Sequence, residues 1–183
     1  LNEKKIIEKS SDAPSLGEEE TQIQISREES INQSQRIKFE NQSIIGSISL
    51  KGASIDDLTF KQYNTDLQSN KKVVLLNPRN IKDGYLIESG FVTTDKNIDV
   101  PNSDSLWSIV GNKELTSQSP IKLIWTNNQG ITFEKEIKLD DKFLFTIKQR
   151  VINSTEMKYD FYSYGQIIRN SIPEISNFYI LHE

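Results

Sequence analysis

Few side chains in this 183-residue sequence carry reactive chemistry, and their spacing limits what they could do. The acidic groupings are the run Glu18-Glu19-Glu20 and the pairs Asp56-Asp57 and Asp140-Asp141. Paired carboxylates on one face can act as general acid and base, and several together can hold a cation. Three consecutive carboxylates cannot all face one ion on regular backbone, so the Glu18–Glu20 run is not read as a metal site. Successive residues of a strand point to opposite faces, so neither Asp-Asp pair is expected to converge on a substrate. Turn chemistry explains both pairs better, because Asp bonds its own backbone. The single His, His182, sits at the end of the chain, whereas a hydrolytic triad or a two-His metal site needs imidazoles inside a fold. The chain has no Cys, which excludes a disulfide framework, a thiol nucleophile and a zinc ribbon. No Gly-rich phosphate loop is present. No catalytic, metal or cofactor-binding residue is assigned, and enzyme activity is not expected.

The remaining candidates are aromatic. Tyr159, Phe161, Tyr162 and Tyr164 form a dense patch, and Trp107 and Trp125 fall in strand-like runs. Aromatic residues at alternate strand positions are by default core or cross-strand pairs. The patch occupies both parities between 159 and 164. That pattern suits a strand buried on one side and covered by something else on the other, so these four residues are the candidate partner or cleft contacts.

These side chains must be positioned by strands. Pro120 to Asn153 contains three apolar-rich runs, cut by Asn127-Asn128-Gln129-Gly130 and Asp140-Asp141. In the second run Ile131, Phe133, Ile137 and Leu139 share one parity and Thr132, Glu134, Glu136 and Lys138 the other. In the third, Phe143, Phe145, Ile147 and Val151 alternate with Leu144, Thr146, Lys148, Arg150 and Ile152. Period two with short Asn/Gly and Asp turns predicts an antiparallel meander. Before it, the sequence predicts a strand over Ser47–Lys51, a turn at Gly52, and a second strand through Ile55, Leu58 and Phe60. A short buried strand follows at Val73–Leu76, then one over Tyr85–Thr94 interrupted at Gly90, and one over Leu106–Val110. After the meander, strands are expected over Tyr159–Gln166 and Ser176–Leu181. No window of ten residues has helical periodicity. The fold class predicted is an all-β antiparallel sandwich of about 9–11 strands.

Residues 1–38 differ from this body. They contain no aromatic residue and carry eight acids and six bases, a composition that cannot offset its own ordering entropy. They are read as a flexible acidic and polar linker, with the sandwich domain over 39–183. The net charge of −4, from 26 acids and 22 bases, argues against a nucleic-acid partner. The start at Leu1 suggests an excised piece, and no apolar run approaches the roughly 20 residues of a membrane-spanning helix.

Gly130 to Leu139 (GITFEKEIKL), then Phe143, then Val151-Ile152-Asn153 resembles a motif of the YidC membrane protein insertases, in their first large periplasmic domain. Gly46 to Tyr63, Leu75 to Pro78, Tyr85 to Phe91 and the step Tyr164-Gly165-Gln166 resemble further segments of that domain in the same order. The resemblance covers about residues 40–183. It implies a supersandwich that faces the periplasm, tethered by residues 1–38 to an inner-membrane anchor outside this sequence. It implies a non-catalytic scaffold or partner contact in an insertase and chaperone for membrane proteins. The implied partners are nascent membrane proteins and Sec translocon components (SecDF, SecYEG). The family domain continues past the position matching His182, so a C-terminally truncated or reduced domain is expected. Two other readings stay open on the residues alone: a carbohydrate-binding or mutarotase-like sandwich, and an adhesion or lipoprotein module.

Overall fold

A computed structural model describes residues 25–172. The run Glu18–Glu20, the strand expected over Ser176–Leu181 and His182 lie outside the described residues. Within them, one short helix, α1 (Arg27–Asn32), precedes ten strands. These are β1 (Arg36–Glu40), β2 (Ile44–Ser49), β3 (Ile55–Asn64), β4 (Lys72–Leu76), β5 (Tyr85–Val92), β6 (Ser108–Val110), β7 (Ile121–Thr126), β8 (Ile131–Leu139), β9 (Phe145–Asn153) and β10 (Tyr162–Arg169).

The strands form two antiparallel sheets. The larger has the order β1-β2-β3-β5-β10, with β4 also paired to β3, and the smaller has the order β6-β7-β8-β9. The meander is the smaller sheet less β6. Its register follows from the alternation: Ile131, Phe133, Ile137 and Leu139 are buried, while β9 presents Phe145, Ile147, Gln149 and Val151 half-buried and its other residues exposed. Its first turn is closed by Asn127, whose Oδ1 accepts from the backbone of Gln129 and Ile131, and by Gly130 at φ 83°. Its second turn is closed by Asp140, whose Oδ1 accepts from Lys142 and Leu144. The inner faces meet in a core that includes Phe39, Ile48, Leu58, Trp107, Leu123 and Phe133. Burial of apolar area on this scale, at about 25 cal/mol per Å2, supplies the main drive for sheet-on-sheet packing.

Several details differ from the sequence reading. Order begins before residue 39. Ser26 caps α1 by accepting from Glu29 N, while the Glu29 carboxylate accepts from Ser26 N, a reciprocal pair that satisfies two orphan amides. Residues 36–38, counted with the linker, belong to β1, where Ile37 and Phe39 are buried and Lys38 and Glu40 exposed. The Val73–Leu76 segment is a strand but not a buried one: only Leu76 is fully covered, because β4 reaches past the smaller sheet. Gly90 does not interrupt β5. Tyr159 and Phe161 precede β10 rather than lying in it. Asp56 and Asp57 sit in β3, not in a turn. There the pairing of β2 with β3 skips a residue, Ile48 lying opposite Ile55 and Ser47 opposite Asp57. Asp56 is the extra residue of a bulge, a device that turns neighbouring side chains toward one face.

Candidate functional site

The bulge gathers charge on the outer face of the larger sheet. Arg36 of β1 reaches across β2 and donates to Asp56, and Arg27 of α1 donates to Asp57. Ser47 Oγ donates to the other oxygen of Asp57 at 2.5 Å. Farther along the face, Glu88 of β5 accepts from Arg79 and from Gln166 Nε2, both at 2.8 Å. α1 lies over this row, with Ser30 Oγ donating to Asn80 Oδ1 and Asn80 Nδ2 donating to Gln33 Oε1. A polar cavity of about 210 Å3 remains beneath, bordered by Ser30, Arg36, Lys51, Asp56, Arg79 and Glu88. Burial holds the Asp56 carboxyl above the usual carboxylate range, against the pull of Arg36. The two aspartates therefore do share a face, contrary to the expectation from alternation. Each is committed to an arginine, which makes them anchors for α1 and β1 rather than a proton-transfer pair. Among the described residues no group of His, Cys, Asp or Glu could hold a metal ion.

The aromatic patch divides. β10 pairs with β5 so that Tyr162 lies opposite Val92, Tyr164 opposite Gly90 and Gln166 opposite Glu88. Tyr159 and Phe161 turn inward, and the Phe161 ring meets the Phe133 ring edge-on at 5.3 Å. They are partly buried core, not a platform. Tyr164 lies flat against Gly90, where an added Cβ would come within 2.7 Å of the phenol oxygen, so glycine is what lets the ring seat. Burial, with Glu88 close by, raises the Tyr164 hydroxyl above its ordinary pKa. Tyr162 is 56% exposed. Tyr162 and Tyr164 thus remain together on the outer face, while Tyr159 and Phe161 leave it. Trp107 is 2% exposed, which removes it as a stacking surface for a sugar.

The inner side of β10 carries Ser163, Gly165 and Ile167, and Ile167 is 67% exposed. It faces β9 across an open cleft of about 780 Å3, bordered by Ile87, Ser89, Ile147, Gln149, Tyr164 and Ile167. β9 and β10 are each the last strand of their sheet, so both carry an unpaired edge here among the described residues. Gln149 Oε1 is buried without a hydrogen-bond partner. The arrangement can hold an extended chain by backbone pairing and shallow apolar contact, and it holds no convergent acid and base.

One residue of the family motif, which the sequence reading takes as a fold determinant and not a catalyst without assigning it to a face of β8, has an unusual setting. Lys135, on the apolar parity of β8, is 1% exposed inside the sandwich. Its Nζ donates to Ser89 O at 2.6 Å and stands 4.7 Å from the Trp107 ring centroid. Burial pushes its pKa down to about 8, with Glu88 opposing. The signal was available: Lys135 sits midway between Phe133 and Ile137.

A family model described as the YidC periplasmic domain matches residues 36–183. The membrane protein insertase YidC of Pelagibacter ubique (strain HTCC1062) is 59% identical over all of this chain, which covers 33% of that protein. The protein of the same name from Mesorhizobium japonicum is 35% identical over 86% of this chain and 26% of its own length. That from Rickettsia canadensis is 39% identical over 83% of this chain and 27% of its own. The chain spans about a third or less of the length of these relatives. On the match over residues 36–183 and the identity to these insertases, the chain belongs to the YidC family as its periplasmic domain.

Proposed function

We propose that this domain is a non-catalytic scaffold and contact surface of an inner-membrane insertase, working on nascent membrane proteins alone or alongside Sec translocon components (SecDF, SecYEG). The observation that carries this reading is the open cleft between the edge strands β9 and β10, with Tyr162 and Tyr164 on the adjoining outer face. Unpaired strand edges offer main-chain donors and acceptors to any extended segment, so affinity there depends little on client sequence. A surface with that tolerance suits many clients. The membership of the family supports the same reading, as does the commitment of the buried carboxylates Asp56, Asp57 and Glu88 to arginines among the described residues.

The test is photocrosslinking in membranes containing the full-length parent protein. A benzophenone amino acid replacing Tyr162 or Ile167 is expected to capture nascent chains or SecDF. The same probe replacing Lys113, in the loop after β6, is expected to capture neither. Equal capture from all three positions, or none from the first two, overturns the assignment of the contact surface to β10.

A further inference from the structure

We propose that α1 is a strap that lifts from the outer face of the larger sheet as a unit while the sandwich beneath it stays folded. The proposal stands independently of the reading of β10. Six residues are too few to hold a helix without support, since isolated helices shorter than about 12–15 residues are marginal in water. The support α1 receives is thin. Ser30 is its one buried residue, and none of its residues joins the hydrophobic core. Ile31, its one apolar side chain, is half-buried. It borders a gap of about 450 Å3 together with Arg27, Lys38, Asp57 and Ile45, and Ile45 is itself 43% exposed. The polar cavity described above borders Ser30 and Gln33. α1 therefore adjoins two unfilled spaces, one toward Arg27 and Ile31 and the other toward Ser30 and Gln33.

What holds the strap is polar. Arg27 pairs with Asp57, Ser30 Oγ donates to Asn80 Oδ1, and Asn80 Nδ2 donates to Gln33 Oε1 at 3.0 Å. The ion pair is partly wet, the arginine side chain being 28% exposed. Arg27 Nε is buried without a hydrogen-bond partner, so docking strips water from the guanidinium that protein groups do not fully replace. No other charge supplies the hold. Arg36 is committed to Asp56 and Arg79 to Glu88, and Glu29 serves the cap. Glu28 has no cation in contact among the described residues, and Lys38 borders the same gap as Arg27 with the same sign.

The hinge lies at Ser34. Just beyond it Gln35 O accepts from Leu50 N at 2.9 Å, and Arg36 donates to Ser47 and Asp56, so β1 stays with the sheet when α1 leaves. Lifting uncovers the row formed by Asp57, Asp56 and Arg36. It also frees residues 25–34 to extend to at most about 33 Å, at about 3.3 Å per residue, between β1 and the chain that precedes them. The strap thus stores length and covers charge on one latch.

The test is amide exchange in this chain, followed by NMR. The amides of Ser30 and Ile31 are expected to exchange about a hundredfold faster than those of β8, a strand paired on both sides, yet more slowly than in an unfolded chain. Arg27→Gln should speed exchange across α1 about tenfold and leave β8 unchanged. Raising salt from about 0.01 M to about 1 M shortens the screening length from about 30 Å to about 3 Å, and should speed exchange across α1 about threefold. Arg27→Gln should erase that response. Ser30→Ala should speed exchange across α1 and keep it. Exchange of α1 at the rate of β8, or equal loss of protection in both on Arg27→Gln, would make α1 an integral part of the fold and overturn the proposal. So would α1 amides as fast as in an unfolded chain, no effect of Arg27→Gln, or a salt response that survives it.

Discussion

The outer face of the larger sheet and the interior between the sheets both bury charge, on different terms. On the outer face Arg36 and Asp56 have side chains only 8% exposed each, and they lie in direct contact. In the interior Lys135 has no carboxylate in contact among the described residues; the carbonyls of Ser89 and Ala53 and the Trp107 ring solvate it. A buried pair sets a large desolvation cost against strong mutual attraction, so its net worth is small while each half depends on the other. A buried lone lysine can instead lower its cost by losing its proton, which is what its depressed pKa records. The pair is sensitive to mutation and the lysine to pH.

The sharpest break in that comparison comes from cutting the pair. Asp56→Ala leaves Arg36 buried and uncompensated, and unfolding in urea should show a loss of about 3–5 kcal/mol. Replacing both, with Arg36→Met and Asp56→Leu, should recover most of it. A double variant as unstable as the single one would mean that the pair itself, rather than the orphaned charge, sets the stability.

Lys135 should answer to pH. Its folded pKa of about 8 lies below the unfolded value near 10.5. Between those values the unfolded chain holds the extra proton, so stability rises as pH climbs from about 8 to 10.5 and is flat below. The ceiling on the gain is about 3 kcal/mol, from 1.36 kcal/mol per unit. Lys135→Met should raise stability at pH 7 and erase the rise. The measurement is urea midpoints at pH 7, 8.5 and 10 for both proteins, and parallel curves for the two would show that the amine is not the titrating group.

Much of this was legible in sequence, because a sandwich strand writes its burial as period two. The meander, its two turns and the fold class follow from residues 120–153 alone. β1 was legible in the same way, through Ile37 and Phe39, but was hidden by its polar surroundings. The bulge at Asp56 left a trace too: Ile55 and Leu58 are both buried although three residues apart, so the alternation changes parity between them. What sequence could not show is which strands meet. The covering of Gly90 by Tyr164 depends on a pairing between residues 74 apart in the chain, and the exposure of β4 on where the smaller sheet stops. The division of the aromatic patch has the same origin, since β10 begins only at Tyr162.

The smallest effect is expected where charge is paired but wet. Arg150 Nε donates to Glu134 Oε2 at 2.7 Å across β8 and β9, and the arginine side chain is 57% exposed. Water already solvates the guanidinium well, so although the Glu134 side chain is only 14% exposed, cutting the pair leaves no buried charge without a partner. Glu134→Gln should therefore cost less than about 1 kcal/mol, and less again in molar salt, where the screening length falls to about 3 Å. This variant is the control for the other two. If it cost as much as Asp56→Ala, the depth of burial would not be what separates the outer-face pair from the surface one.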